Sequence, residues 1–304
     1  VLLSSYILIL WAWCKRENKA ASRAIMALSL GLFVSFLSAE LGRAGKAEVQ
    51  FLQVGQGDCS FFDVPYKSTV MVDTGGNANF IDTNDIGKQD ILPYIRYKGI
   101  YEIDCLFISH YHKDHCEGLL SLLDAAKIKT IFLPDYVPKN QYRTMIEQKA
   151  KSLGTDIRYI KGPKTIRLDG GILCEILHFD KNAEDDNDKS VVMRLSYGGV
   201  SCLYAGDATY ETEKILLDEG IDLKADILKV GHHASKTSSS EEFLKSVNPD
   251  IAVAMCAEDN PYGFPADEVV LNMEKAGIEF LTAAEGCIEI KERNGKYTWQ
   301  RKTH

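Results

Sequence analysis

Three short apolar runs constrain this chain more than any other feature, because each ends abruptly in polar residues. IDCLFIS runs into HYHKDH at residues 110–115, VSCLYA into GDA at 206–208, and ADILKVG into HHASKTS at 232–238. Runs of this length and composition read as buried strands. In a sheet core, strand ends meet along one rim, so side chains far apart in sequence converge there. HYHKDH holds three of only 7 histidines in 304 residues. In an extended segment His110 and His112 point the same way, while Asp114 and His115, on the turn into the next helix, aim at a second point. Two ligand pairs so close together suit two cations, and imidazole with carboxylate suits Zn, Mn or Fe better than Ca or Mg. Asp207 is placed to bridge them and His232 to complete one.

From residue 47 onward the pattern is regular. EVQFLQV, CSFFDV and STVMVD, separated by GQG and PYK, predict an antiparallel meander. ILPYIRYKG predicts a helix ending at Gly99; EGLLSLLDAAK, ETEKILLDEG and EEFLKSV predict further helices. GILCEIL, SVVMRLSY, VSCLYAG, ADILKVG and DIAVAMC predict strands. Strand clusters interleaved with helices in two comparable halves predict an α/β chain with sheets packed face to face and helices outside. No linker rich in Pro or Gly interrupts residues 47–304, so they are read as one domain.

Residues 1–46 differ. VLLSSYILILWAW and the uncharged stretch from Ala24 to Ala39 are separated by KRENKAASR. They read as the end of one transmembrane helix and one further membrane helix, in preference to a signal peptide or a buried core helix. The preference rests on Trp11 and Trp13, which sit where an interfacial aromatic belt would lie. Basic residues in the connecting loop would keep it cytoplasmic and put everything after residue 46 on the extracytoplasmic side. Six Lys/Arg against two acidic residues give this leader a net +4, so with a formal −8 for the whole chain the rest carries −12. Such an acidic domain cannot hold nucleic acid by overall charge; a phosphate substrate would need bound cations or a local basic strip. The 8 cysteines include no CxxC pair, which argues against a zinc ribbon or a thioredoxin-like site.

VGQGDCS (54–60), VDTGG (72–76), DIGKQDILPYIRYKGI (85–100), SHYHKDH (109–115), NDKS (187–190), AGD (205–207), LKVGHHASKTSSSEEFL (228–244) and EDNPYGFP (258–265) together resemble the metallo-β-lactamase superfamily. The finer resemblance is to the extracytoplasmic domain of the ComEC family of DNA-uptake (competence) channels. It implies an αββα four-layer sandwich with two divalent metal ions, Zn or Mn, on one edge. His110 and His112 would hold the first and Asp114 and His115 the second. Asp207 would bridge, and His232 or His233 would close the second site, with His232 preferred as nearest the strand end. Asp73 would support the ligands from behind through hydrogen bonds. Asp114 and Asp207 would be the carboxylates on which catalysis depends. The activity implied is phosphodiester hydrolysis, the cations stabilising charge on the attacking and leaving oxygens. The task implied is degradation of the non-transported DNA strand while the other enters the channel. The partners would be single-stranded DNA, the cell membrane and the rest of a competence channel.

The chain departs from the family in places. Many relatives place a further histidine before the bridging aspartate; here Asn187, Asp188 and Ser190 stand there as candidate metal or substrate contacts, and the lone His178 reads as an ordinary strand-end residue. GHHGS becomes GHHAS with Ala234, and YGHP becomes YGFP with Phe264. Beside the rim, Lys229, Lys236, Thr237, Ser238 and the next two serines could grip phosphate oxygens, and Ser239 or Ser240 could cap the following helix. Gln56 and Asp58 could reach the rim from their hairpin. Two alternatives share these residues: a small phosphodiester hydrolase resembling phosphorylcholine esterases, and a non-catalytic DNA-guiding module that keeps a metal site for shape.

Overall fold

The computed structural model of the chain describes residues 19–77, 85–293 and 295–302, together with Ser4, 7–9 and Trp11. It divides into two compact units, Val1–Lys46 and Ala47–His304. In the first unit, the apolar run at residues 1–14 lies largely outside the described residues. The second run forms α1 (Lys19–Arg43). Among the described residues, no helix is long and apolar enough to cross a membrane. The uncharged stretch from Ala24 to Ala39 is 16 residues. At the α-helical rise it covers about 24 Å, short of a hydrocarbon core of about 30 Å. The membrane span expected there is therefore not met by α1.

The second unit is built on two mixed sheets. The meander forms as β1 (Glu48–Phe51), β2 (Ser60–Val64) and β3 (Ser68–Val72), antiparallel neighbours in register. β4 (Glu102–Phe107), β5 (Lys127–Pro134) and β6 (Asp156–Ile160) extend that sheet in parallel. The second sheet begins with antiparallel β7 (Lys164–Arg167), β8 (Leu173–His178), β9 (Val192–Tyr197) and β10 (Val200–Tyr204). It continues in parallel through β11 (Ile227–Lys229), β12 (Ile251–Ala254) and β13 (Glu279–Thr282). The chain then returns to the first sheet, where β14 (Cys287–Arg293) pairs with β1 and β15 (Lys296–Lys302) with β14.

Alternation along the strands assigns the layers. In β10, Cys202 and Tyr204 join the core that contains Phe51, Phe61 and Met71 of the first sheet, whereas Leu203 packs with Leu228, Phe243, Leu244 and Met273. β12 repeats the division, with Ile251 and Val253 on one side and Ala252 and Ala254 on the other. Both faces of these strands are buried, which is why VSCLYA and DIAVAMC read as continuous apolar runs. The outer layers are helical. α2 (Leu92–Lys98), α3 (Lys113–Cys116), α4 (Gly118–Ala125) and α5 (Tyr142–Leu153) are the helices associated with the first sheet. α6 (Tyr210–Asp218), α7 (Glu241–Val247) and α8 (Asp267–Ala276) cover the second. The expected αββα sandwich is the fold observed. α2 stops at Gly99, whose φ of 71° is the left-handed conformation that ends a helix.

The turn after β3 lies hard against α3. A Cβ on Gly76 would sit 1.9 Å from the carbonyl oxygen of Lys113, so only glycine lets the two backbones meet. Gly76→Ala is expected to lower unfolding free energy by about 1–3 kcal/mol, the usual cost of overpacking. Urea denaturation checks this, and an unchanged midpoint would show that turn and helix can separate freely.

Candidate metal centre

The chain leaves β4 extended, and α3 starts only after His112. His110 and His112 therefore share one side, with ring centroids 4.5 Å apart, and His115 turns back from α3 to within 4.2 Å of the His110 ring. At the end of β10, Gly206 takes a φ of 56° and directs Asp207 between them. His110 Nε2 lies 3.8 Å from Asp207 Oδ2, and His115 Nε2 lies 3.3 Å from Asp207 Oδ1. After β11, His232 and His233 both adopt left-handed φ values, 46° and 53°. The two rings therefore go to different sides. His233 Nε2 comes within 3.4 Å of Asp114 Oδ2 and 3.6 Å of Asp207 Oδ2, while its Nδ1 donates to the Met255 carbonyl at 2.8 Å. His232 Nδ1 lies instead 3.1 Å from Thr237 Oγ1. It is His233, not the expected His232, that joins the cluster.

Two sets of ligand atoms result, each within 4.8 Å of one another: Asp58, His115, Asp207 and His233, and His110, His112 and Asp207. Asp207 belongs to both, and Asp114 adjoins the first through His233. The Nε2 atoms of His110, His115 and His233 and Oδ1 of Asp207 are buried without a hydrogen-bond partner. Each such atom costs about 1–3 kcal/mol, so three imidazole nitrogens around one carboxylate, with an oxygen of that carboxylate, fit a cation as their missing partner. Asp58, the hairpin residue, reaches the cluster accompanied by Lys229. The Lys229 ammonium is buried, ion-paired with Asp58 Oδ2, and donates to the Gly206 carbonyl at 3.0 Å. It lies beneath the ligands and is not free to grip phosphate. Asp58, Asp73, Asp114 and Asp207 against Lys229 leave three negative charges, a balance that favours cation binding.

The electrostatics follow from burial and from these neighbours. Burial holds the His110 imidazole well below its ordinary pKa. For His115, burial acts in the same direction but is outweighed by Asp207, Asp58 and Asp73, which hold it well above its usual range. His233 is likewise pushed up to about 10, Asp207 and Asp58 overcoming desolvation. Burial would raise Asp207, but His115 and His233 hold its carboxyl well below the usual carboxylate range. A divalent cation competes with protons for the same lone pairs, so its binding weakens as pH falls.

The remaining candidates divide between support and other duties. Asp73, at a φ of 58°, accepts from the Ser109 N–H and hydroxyl, each at 2.7 Å, and from His115 Nδ1 at 2.9 Å, which directs His115 Nε2 at Asp207. Ser190 Oγ accepts from the Asp207 N–H at 2.9 Å. Asp188 does not join the ligand sets: its carboxylate accepts from the Thr209 N–H and the hydroxyls of Thr209 and Thr212, and so anchors the start of α6. The Asn187 backbone carbonyl accepts from the Ser190 N–H in a turn. Ser238 donates to the Gly231 carbonyl, and Ser240 caps α7 by accepting from Phe243 N–H. The buried Glu213 carboxylate accepts from the N–H groups of Ser239 and Ser240 and from the Ser240 hydroxyl, pinning this loop. Lys236 and Thr237 remain exposed. His178 sits at the end of β8, outside both sets. The described cysteines are free and buried.

Buried imidazoles sharing one carboxylate at the edge of an αββα sandwich define a metallo-hydrolase-like architecture. Residues 52–258 match the metallo-beta-lactamase superfamily, a span that contains both ligand sets, and the chain belongs to that superfamily. It is similar to ComE operon protein 3 of Bacillus subtilis, 27% identical over 273 residues, covering 86% of this chain and 35% of that protein. It is also similar to Recombination protein 2 of Haemophilus influenzae, 29% identical over 281 residues, covering 91% of this chain and 32% of that protein. These matches bear out the resemblance to the ComEC family. The chain spans about a third of the length of these relatives. Among solved structures, the metallo-beta-lactamase fold protein YhfI from Bacillus subtilis has a TM-score of 0.50 at 14% identity, covering 84% of this chain and 100% of that one. That likeness is one of fold.

Two variants test the arrangement. His233→Ala is expected to weaken Mn²⁺ or Zn²⁺ binding by more than about 100-fold, because even outer-shell partners are worth 10–100-fold, whereas His232→Ala should change it far less. Titration calorimetry reads both, and equal losses would return His232 to the ligand set. Lys229→Met should cost about 1–3 kcal/mol in metal-free unfolding, since it removes the ammonium paired with Asp58 and leaves that carboxylate only the His115 and His233 rings, at 3.6 and 3.3 Å.

Proposed function

We propose that residues 47–304 form a metal-dependent phosphodiesterase, acting as the nuclease domain of a ComEC-like competence protein that degrades the non-transported DNA strand. The observation that carries this reading is the set of unpaired, buried imidazole nitrogens around Asp207, in a chain similar over most of its length to competence relatives. His110 and His112 would hold one divalent ion, Zn or Mn; Asp114, His115 and His233 would hold the other, and Asp207 both. When bound, such ions supply the Lewis acidity and positive charge that phosphodiester hydrolysis requires. Asp73 and Ser190 keep the ligands oriented, and Lys229 keeps Asp58 compensated. Lys236 and Thr237 would contact phosphate oxygens at the open rim. The exposed Met26, Leu28 and Leu30 of α1 support a membrane or channel neighbour for the leader, and we place the hydrolase on the extracytoplasmic side.

One feature favours a second reading. A cleft of about 720 Å³, lined by Asp180, Glu184, Asp185, Asp188 and Glu211, opens beside His232. Its acidity suits a cationic group, as in a small zwitterionic phosphodiester of the phosphorylcholine type.

The purified chain, incubated with Mn²⁺ or Zn²⁺ and either a single-stranded oligonucleotide or a phosphocholine ester, separates these readings. Cleavage of the oligonucleotide is expected, falling by about 10³-fold or more in His112→Ala and Asp207→Ala. Preference for the choline ester would favour the small-substrate reading. Cleavage of neither, with wild type matching both variants, would leave only a DNA-guiding role. Elemental analysis of the same preparation identifies the metal.

A further inference from the structure

Phe264, where the family has a histidine, lies inside a row of rings that ends at the metal centre. Its ring is 6.3 Å from that of His233 at an interplanar angle of 22°, and Tyr262 continues the row at 5.5 Å and 20°. The His232 ring flanks Phe264 at 6.1 Å. Tyr262 is 52% exposed although one face is covered by Phe264, so its outer face is open to solvent. The loop carrying the row is braced. Asn260 donates to the carbonyls of Ala257 and Phe264 and accepts from the N–H groups of Tyr262 and Phe264. Gln56, from the VGQGD hairpin, accepts from the Ala257 N–H at 3.1 Å. These bonds hold the two rings in place without a ligand.

We propose that Tyr262 and Phe264 form a stacking platform for one nucleobase of a single-stranded nucleic acid, seating the adjoining phosphodiester at the metal centre. This rests on the nuclease reading above. The shape of the site favours a flat ring: a parallel row with one open face accepts a stacked base, whereas a quaternary ammonium is held by rings on several sides. The charge balance points the same way. Residues 47–304 carry a net −12. Affinity for a polyanion must then come from bound cations and from contacts that do not depend on charge, and base stacking is one that tolerates any sequence. The exposed Thr237 reaches the row through His232, whose ring flanks Phe264, and the exposed Lys236 is its chain neighbour, so both are available to a phosphate beside the stacked base.

The test is binding, with Mn²⁺ present, of a single-stranded oligonucleotide containing 2-aminopurine and a cleavage-resistant phosphorothioate backbone, compared with an abasic strand of the same backbone and length. Wild type is expected to quench the 2-aminopurine and to bind the abasic strand more weakly. Tyr262→Ala should weaken binding of the base-bearing strand by about 5- to 150-fold, with loss of quenching. Tyr262→Phe should restore both. Equal affinity of wild type for the two strands, or unchanged affinity and quenching in Tyr262→Ala, would overturn the platform while leaving the nuclease reading intact. Binding of neither strand would overturn both.

Discussion

The Asp207 carboxylate is the constraint on which the rest of this structure depends. It is buried at the end of β10, and a buried carboxylate persists only with opposite charge or hydrogen-bond donors around it. Three imidazoles meet it within 3.8 Å, and the Lys229 ammonium stands 4.0 Å away. Those partners come from β4 and α3 in the first sheet's half and from β11 in the second. The two sheets must therefore present their strand ends on the same edge. The sandwich achieves this through its shared core, in which Phe51, Phe61 and Met71 face Cys202 and Tyr204.

Holding this constellation is costly. Asp73, His232, His233 and Ala234 all adopt positive φ without being glycine, and all four lie at the metal rim. Strain of this kind survives only where the surroundings over-determine it. Here they do so through Asp73 on Ser109 and His115, His233 on the Met255 carbonyl, and Glu213 on the start of α7. Against the cost of burial, Asp58 and Asp207 hold the Lys229 ammonium above its usual range, which keeps positive charge between those two carboxylates. The centre is thus preorganised by interactions that lie behind the ligands.

An acidic domain that acts on a phosphodiester must separate attraction from overall charge. On the proposed reading, cations held at the rim would supply local positive charge, and the Phe264 and Tyr262 rings a neutral surface. The acidic cleft beside His232 opens next to the same residues.

The amino-acid sequence alone determined the strands that build the site, the helix stop at Gly99, and the position of HYHKDH at a strand end. In each case the signal is local: continuous apolar runs, a left-handed glycine, or histidines too concentrated for chance. The strands that border the sheets were less legible. β6, β7 and β15 are short or largely exposed, so polar residues hide their period. The site's final membership was decided only by tertiary structure. Two adjacent histidines cannot be told apart in a sequence, and the consecutive left-handed residues at 232 and 233 send one ring inward and the other out. Asp58 and Lys229 lie 171 positions apart in the chain and form one buried pair. Asp188, in the family's expected place, is taken up by hydroxyls of α6 that no local pattern reveals. Spacing along the chain selects which residues can reach the rim, but the turn conformations and buried charge pairing select which of them face it.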